Sequence, residues 1–142
     1  MTSTPPPTAA AVADQFGRTA KRLGRAFDEA LAAHGVTTPR ARVLGHVATS
    51  GPLRLNAVAT EVGISQGTAS ELVEALVRDG FLTRAADPTD RRATLLSATD
   101  RGAASAAEWR RRYEQAAADL VAPLDDDERR TLVALLVKLD RG

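Results

Sequence analysis

Gly63–Arg84, GISQGTASELVEALVRDGFLTR, decides how this 142-residue chain is read. Ala69, Leu72, Val73 and Leu76 fall at i, i+3, i+4 and i+7, the spacing of one buried helix face. Ser65 is placed to cap the start, since a serine hydroxyl accepts from a backbone N–H of the first turn, and Gly80 is placed to close the end. The outward side of the first two turns, Gln66, Gly67, Thr68 and Ser70, is small and polar. Such a face lets a helix approach a surface dense in donors and acceptors, as the base edges of a DNA major groove are. Taken alone, these residues fit an ordinary amphipathic surface helix equally well.

The neighbouring residues shift that balance. Downstream, Phe81–Arg84 and Thr94–Ser97 read as two short strands. They are separated by a turn-rich loop, Ala85–Ala93, with Arg91 and Arg92 near its end. Upstream lies a short helix, roughly Asn56 to Val62, broken by Gly63, and Leu53–Leu55 has the length to join the hairpin as a third strand. Helix, tight turn, helix and basic hairpin make a winged helix-turn-helix. The run SQGTASELVEALVRDGFLTR followed by DPTDRRATLLSATDRG resembles the MarR (multiple antibiotic resistance regulator) family of transcription regulators. The most specific piece is the wing, Asp90-x-Arg92 followed by Leu96 and Thr99, and the resemblance spans about Phe16 to Leu139.

Composition narrows the function classes. There is no cysteine, which removes disulfides, thiolate zinc sites and cysteine redox sensing, and the sole methionine is Met1. No apolar run approaches the roughly 18 residues of a membrane span, and no signal-peptide core follows the N-terminus, so the expected location is cytoplasmic with no membrane partner. The net charge of +1 is evenly spread, so a case for DNA rests on where the cations sit rather than on their sum. There is no phosphate-cradling glycine loop, no HExxH and no nucleophile motif, and only two histidines, His34 and His46. The expectation is a non-enzyme without cofactor, catalytic residues or metal site.

The flanks are helical. MTSTPPPT, residues 1–8, has no core-forming pattern and its three prolines favour an extended, disordered tail. Val12, Phe16, Ala20, Leu23, Phe27 and Leu31 form a sustained apolar stripe on a helix from about Ala9 to Gly35. Thr38 and Pro39 then read as N-cap and first helical residue of a helix with Val43, Leu44 and Val47 inward. Thr99 suits the cap of a long helix, roughly Asp100 to Val121, with Trp109, Tyr113, Ala116 and Leu120 on one face and Arg110–Arg112 as a solvated basic run. Asp125 and Glu128 fit a capping box for a final helix whose stripe is Leu132, Leu135, Leu136 and Leu139. The fold class expected is mainly α with a small antiparallel β wing. Residues 36–99 form the DNA-binding domain, and residues 9–35 and 100–142 a helical dimerisation region.

The resemblance then implies a homodimeric, sequence-specific regulator, a repressor released by a ligand, on double-stranded DNA with a pseudo-palindromic operator. Gln66 suits adenine recognition, Thr68 and Ser70 suit phosphate or base edges, and Ser65 stands at the helix N-terminus that favours phosphate. Glu71 departs from the donor common in relatives and puts the specificity in question. Arg92 takes the family's minor-groove position, Asp90 holds the wing's shape, and Arg91 meets a phosphate or that aspartate. Arg54 and Asn56, at the entry to the first helix of the motif, complete the DNA-facing set. Relatives also bind phenolic or aromatic carboxylates between the dimer helices and the reading unit. Arg42, His46 and Trp109 would supply a cation, a titratable donor and an apolar wall for a small aromatic effector of unknown identity. The competing class is a winged-helix protein-interaction module without DNA binding, favoured by the weak net charge and by Glu71 and Glu74.

Overall fold

The computed structural model describes residues 3–142. The order is α1 (Ala9–Ala32), α2 (Thr38–Ser50), β1 (Leu53–Arg54), α3 (Leu55–Val62), α4 (Gln66–Arg78), β2 (Leu82–Asp87), β3 (Asp90–Ala98), α5 (Asp100–Val121) and α6 (Asp126–Asp140). The class is the one expected, helices around a small antiparallel sheet, with β3 central in the order β1-β3-β2. Residues 3–8 carry no regular structure, whereas Met1 and Thr2 of the expected tail lie outside the described residues. No helix among the described residues is long and apolar enough to cross a membrane.

Two compact units divide the chain. One spans Phe27–Tyr113; the other joins the residues up to Ala26 with Glu114–Gly142. The core of the first unit gathers apolar faces from α1 to α5, β2 and β3: Leu31, then Val43, Leu44 and Val47, then Val58 and Val62, Val73 and Leu76, Leu82, Leu96 and Trp109, with Leu53 of β1 partly buried against them. Each fully buried Leu or Val contributes roughly 1.5–3 kcal/mol, so this cluster is what holds α4 at a fixed attitude.

Two helix ends set the geometry of the motif. After α3 the chain reverses at Gly63, whose φ of 77° is left-handed and suits only a residue without Cβ. Its N–H and that of Ile64 return to the carbonyls of Thr60 and Ala59, closing a Schellman turn. The end of α4 repeats the device, with Gly80 and Phe81 bonding back to Val77 and Leu76, so Gly80 closes this helix as expected. Thr99 caps α5 in two directions. Its hydroxyl donates to the Gly80 carbonyl at 2.7 Å and accepts from the Gly102 N–H at 3.0 Å.

Three expectations need correction. Thr38 is the first residue of α2, not its cap. The cap position is Thr37, in extended backbone with no side-chain bond, and the Thr38 hydroxyl is instead taken up by Asp28. Pro39 still lies in the first turn, where its missing N–H costs nothing. The first helix of the motif begins at Leu55, not at Asn56, leaving β1 two residues long. Most consequentially, the nine-residue loop Ala85–Ala93 does not exist. β2 runs to Asp87 and β3 starts at Asp90, leaving only Pro88 and Thr89 to turn the chain. The cause is Asp87, whose Oδ1 accepts from the Thr89 N–H at 2.9 Å and from the Thr89 hydroxyl at 2.8 Å.

The other unit has a different character. At α6 the expected capping box is complete, with Asp125 accepting from Glu128 N–H and Glu128 accepting from Asp125 N–H, each at 2.9 Å. Arg129 donates to the carbonyls of Val121 and Leu124 at the end of α5. No residue of α6 is buried in this chain. Val12 and Phe16 on α1 and Leu132, Val133, Leu135, Val137 and Leu139 on α6 are exposed, a concentration of apolar surface that a solvated helix does not carry without reason.

Candidate nucleic-acid interface

The N-terminal turns of α4 and the inner face of the hairpin enclose a groove of about 550 Å³. Gln66 and Ser70 line one side, Arg54 and Asn56 the floor, and Arg84, Asp90 and Arg92 the hairpin side. Alternation along the strands explains the sorting. Arg92, Thr94 and Leu96 are every second residue of β3, so they share the face that Leu96 buries, and Arg84 pairs directly with Leu96 on that face. Arg91 stands on the opposite face of the hairpin and is exposed. The two adjacent arginines therefore do not act as a pair.

Ser65 caps α4 as the sequence suggests, accepting from the Thr68 N–H at 3.1 Å, and its hydroxyl donates to Thr68 Oγ1 at 2.9 Å. This leaves Ser65 and Thr68 exposed at the positive end of the helix dipole, the place where an oxyanion is favoured. Glu71 is exposed but does not line the groove. Asn56 accepts from the Ala57 N–H at 2.9 Å.

Within the wing, Asp90 accepts from the Arg92 N–H at 2.9 Å, a shape-holding contact of the kind expected of it. The stronger anchor is one the sequence reading missed. Asp87 is only 7% exposed, and its Oδ2 receives Arg54 Nε at 2.8 Å. The backbone and side-chain hydrogen bonds from Thr89, followed by the Arg54 guanidinium, hold the Asp87 carboxyl below its ordinary value. Arg54, placed among the DNA-facing residues, is thus also the strut that ties β1 to the wing turn. Arg84 was missed as well. It lies in the strand expected over Phe81–Arg84, and what marks it is the cross-strand register that sets it opposite Leu96.

A second concavity, of about 750 Å³, lies between α1, α2 and α5 of the same unit. Phe27 and Tyr113 meet edge to face with centroids 4.9 Å apart, Trp109 forms a further wall, and α2 contributes Arg42 and His46. The three residues singled out for an effector, Arg42, His46 and Trp109, do share one cavity. Its lining is otherwise largely small and apolar, and includes Arg110 but no acidic side chain. No group of His, Asp and Glu suited to a metal ion occurs among the described residues.

Comparison with known proteins places this architecture. The model of the MarR family matches residues 34–93. The chain is 28% identical over 132 residues, 92% of its length and 77% of the relative's, to the uncharacterized HTH-type transcriptional regulator YwaE of Bacillus subtilis. A mutant of MarR from E. coli, solved complexed with operator DNA, superposes with a TM-score of 0.81 at 22% identity, covering 90% of this chain and 92% of that one. The PcaV transcriptional regulator of Streptomyces coelicolor, solved in complex with its natural ligand, gives a TM-score of 0.75 at 27% identity, covering 96% and 99% of the two chains.

Proposed function

The chain belongs to the MarR family of winged helix-turn-helix transcription regulators, and from that premise we propose that it works as a homodimeric repressor that a small aromatic acid releases from its operator. In this reading α4 of each protomer enters a major groove and the paired wings reach the flanking minor grooves. The two half-sites lie about one helical turn apart on a pseudo-palindrome. The protein acts in the cytoplasm, where its operator is.

The observation that carries the reading is the groove that sets Gln66 and Ser70 opposite Arg84 and Arg92. A helix face of amide and hydroxyl groups beside two guanidinium groups matches base edges next to a phosphate-lined minor groove. The exposed apolar faces of α1 and α6 support the dimer, since each would cover the other's surface across a two-fold axis. The aromatic, acid-free cavity that holds Arg42 and His46 supports an anionic aromatic effector. The E. coli relative solved on operator DNA and the PcaV protein solved with a ligand show that the same fold carries both kinds of partner elsewhere.

A gel shift on the DNA upstream of the protein's own gene, titrated with salt, tests this directly. Retarded, sequence-competed complexes whose affinity falls steeply with salt are expected. No complex at low salt would reject the DNA-binding reading in favour of a protein-interaction module.

A further inference from the structure

Arg42 and His46, the cationic and the titratable side chain that α2 gives to the effector cavity, are each held at the far side by the same short helix. Arg42 lines the cavity, yet its Nη2 donates to the Val62 carbonyl at 3.0 Å. His46 lines it too, and its Nδ1 stands 3.4 Å from Glu61 Oε2. Glu61 and Val62 are the last two residues of α3, immediately before the Gly63 reversal that leads into α4. The last carbonyls of a helix have no partner within it and carry the negative end of its dipole, so a guanidinium on Val62 satisfies an orphan acceptor and stabilises that end.

Three facts therefore meet at one place. The cavity carries cations and no acid, so it suits an anion. Arg42 and His46, two of its cationic or titratable groups, are already engaged. Their present partners form the elbow of the helix-turn-helix. An occupant bearing a carboxylate attracts Arg42 and His46 toward the cavity and so pulls against their contacts with the end of α3.

We propose that Arg42 and His46 are shared between the cavity and the elbow, so that an anionic occupant draws them from the end of α3 and loosens its last turn, and that this shift passes occupancy on to α4. The proposal rests on the reading of the cavity as an acid-binding site. It differs from a simple wedging of the helices apart, because it routes the effect through two named contacts, the Arg42 bond to Val62 and the approach of His46 to Glu61. Arg42 and His46 act here as positioning residues for the reading helix.

The test is amide hydrogen exchange on the full-length protein without DNA, with benzoate and 1-naphthoate as probes and calorimetry to measure their binding. The Gly63 and Ile64 amides, which bond back to Ala59 and Thr60, report the closure of the elbow. Saturating probe should raise their exchange about tenfold, the factor that a lost charge-assisted hydrogen bond corresponds to. Arg42→Met should raise it by a similar factor without probe and leave little further response to probe. Glu61→Gln, a milder change that leaves the Val62 cap intact, should raise it less and weaken the response. Exchange at Gly63 and Ile64 that is unchanged by a bound probe, or unchanged in Arg42→Met, overturns the linkage while leaving the acid-binding cavity standing. Failure of both acids to bind the wild-type protein removes the acid-binding reading itself, and the proposal with it.

Discussion

Replacing Gly102 by alanine should destabilise the protein, although alanine is the better helix former. In a helix interior, Gly→Ala ordinarily gains roughly 0.5–1 kcal/mol. At Gly102, however, a Cβ would lie 1.9 Å from the Phe81 carbonyl oxygen and 2.9 Å from its carbon. Carbon approaches a carbonyl oxygen no closer than about 3.3 Å, so α5 and the entry to β2 must separate by more than 1 Å. Both contact atoms are backbone, and no rotamer change relieves them. Separation also strains the Thr99 hydroxyl bond to the Gly80 carbonyl and the Thr99 N–H bond to Phe81 O at 3.1 Å. Overpacking at about 1–3 kcal/mol, with two hydrogen bonds at about 0.5–1.5 kcal/mol each, outweighs the propensity gain and leaves a net loss of about 1–5 kcal/mol. Gly45, in α2, supplies the control. A Cβ there meets nothing within 4 Å, so Gly45→Ala should stabilise by about 0.5–1 kcal/mol. Urea denaturation of both variants at one protein concentration measures the two signs together. A Gly102→Ala protein as stable as the wild type would refute the claim that α5 is seated directly on the exit from α4.

Leu23→Asp with Leu136→Asp should give monomers by sedimentation velocity that lose specific operator binding; a dimer that binds normally would reject the terminal helices as the interface. Arg92→Ala should cost about 1–3 kcal/mol of operator affinity and lower the salt slope by about one, and Asp90→Ala should weaken binding despite removing a negative charge, both read by fluorescence anisotropy across a salt series. For Asp87 the folded carboxyl is depressed below its ordinary value of 3.8, so its contribution to stability is present above that pH and withdrawn as the pH falls through the lower, folded value. The denaturation midpoint of Asp87→Asn should therefore lie below that of the wild type at pH 7, and the gap should narrow as the pH is lowered beneath 3.8; a gap that stays constant would reject Asp87 as an ionised anchor.

The helical part of the fold was legible because its signals are local. Apolar spacing at Ala69, Leu72, Val73 and Leu76, the caps Ser65 and Asp125, and the closing glycines each act within one or two turns, and the structure keeps all of them. The wing was misread for the opposite reason. Asp-Pro-Thr-Asp looks like loop chemistry, and it does make the turn. The extent of the flanking strands is decided by pairing across the hairpin and by a buried carboxylate that needs Arg54, 33 residues earlier. No window of sequence contains both partners. Arg84 and the engagement of Arg54 escaped on the same ground, whereas Gln66, Ser70 and Arg92 could be assembled on one groove from spacing and the family likeness.

The two-residue turn at Pro88 and Thr89 makes the wing sensitive to parity. Which face of β3 an arginine occupies depends only on whether its count from Leu96 is even or odd. Arg92 is four residues away and faces the groove, while Arg91 is five away and faces out. Insertion or deletion of one residue between position 92 and Leu96 would turn Arg92 outward and bring its neighbour in, with composition and net charge almost unaltered. Changes of two residues would lengthen or shorten the reach and keep the facing. Among wings of this build, those that differ by an even number of residues in this strand can share a DNA-contact pattern, and those that differ by an odd number must have rebuilt it.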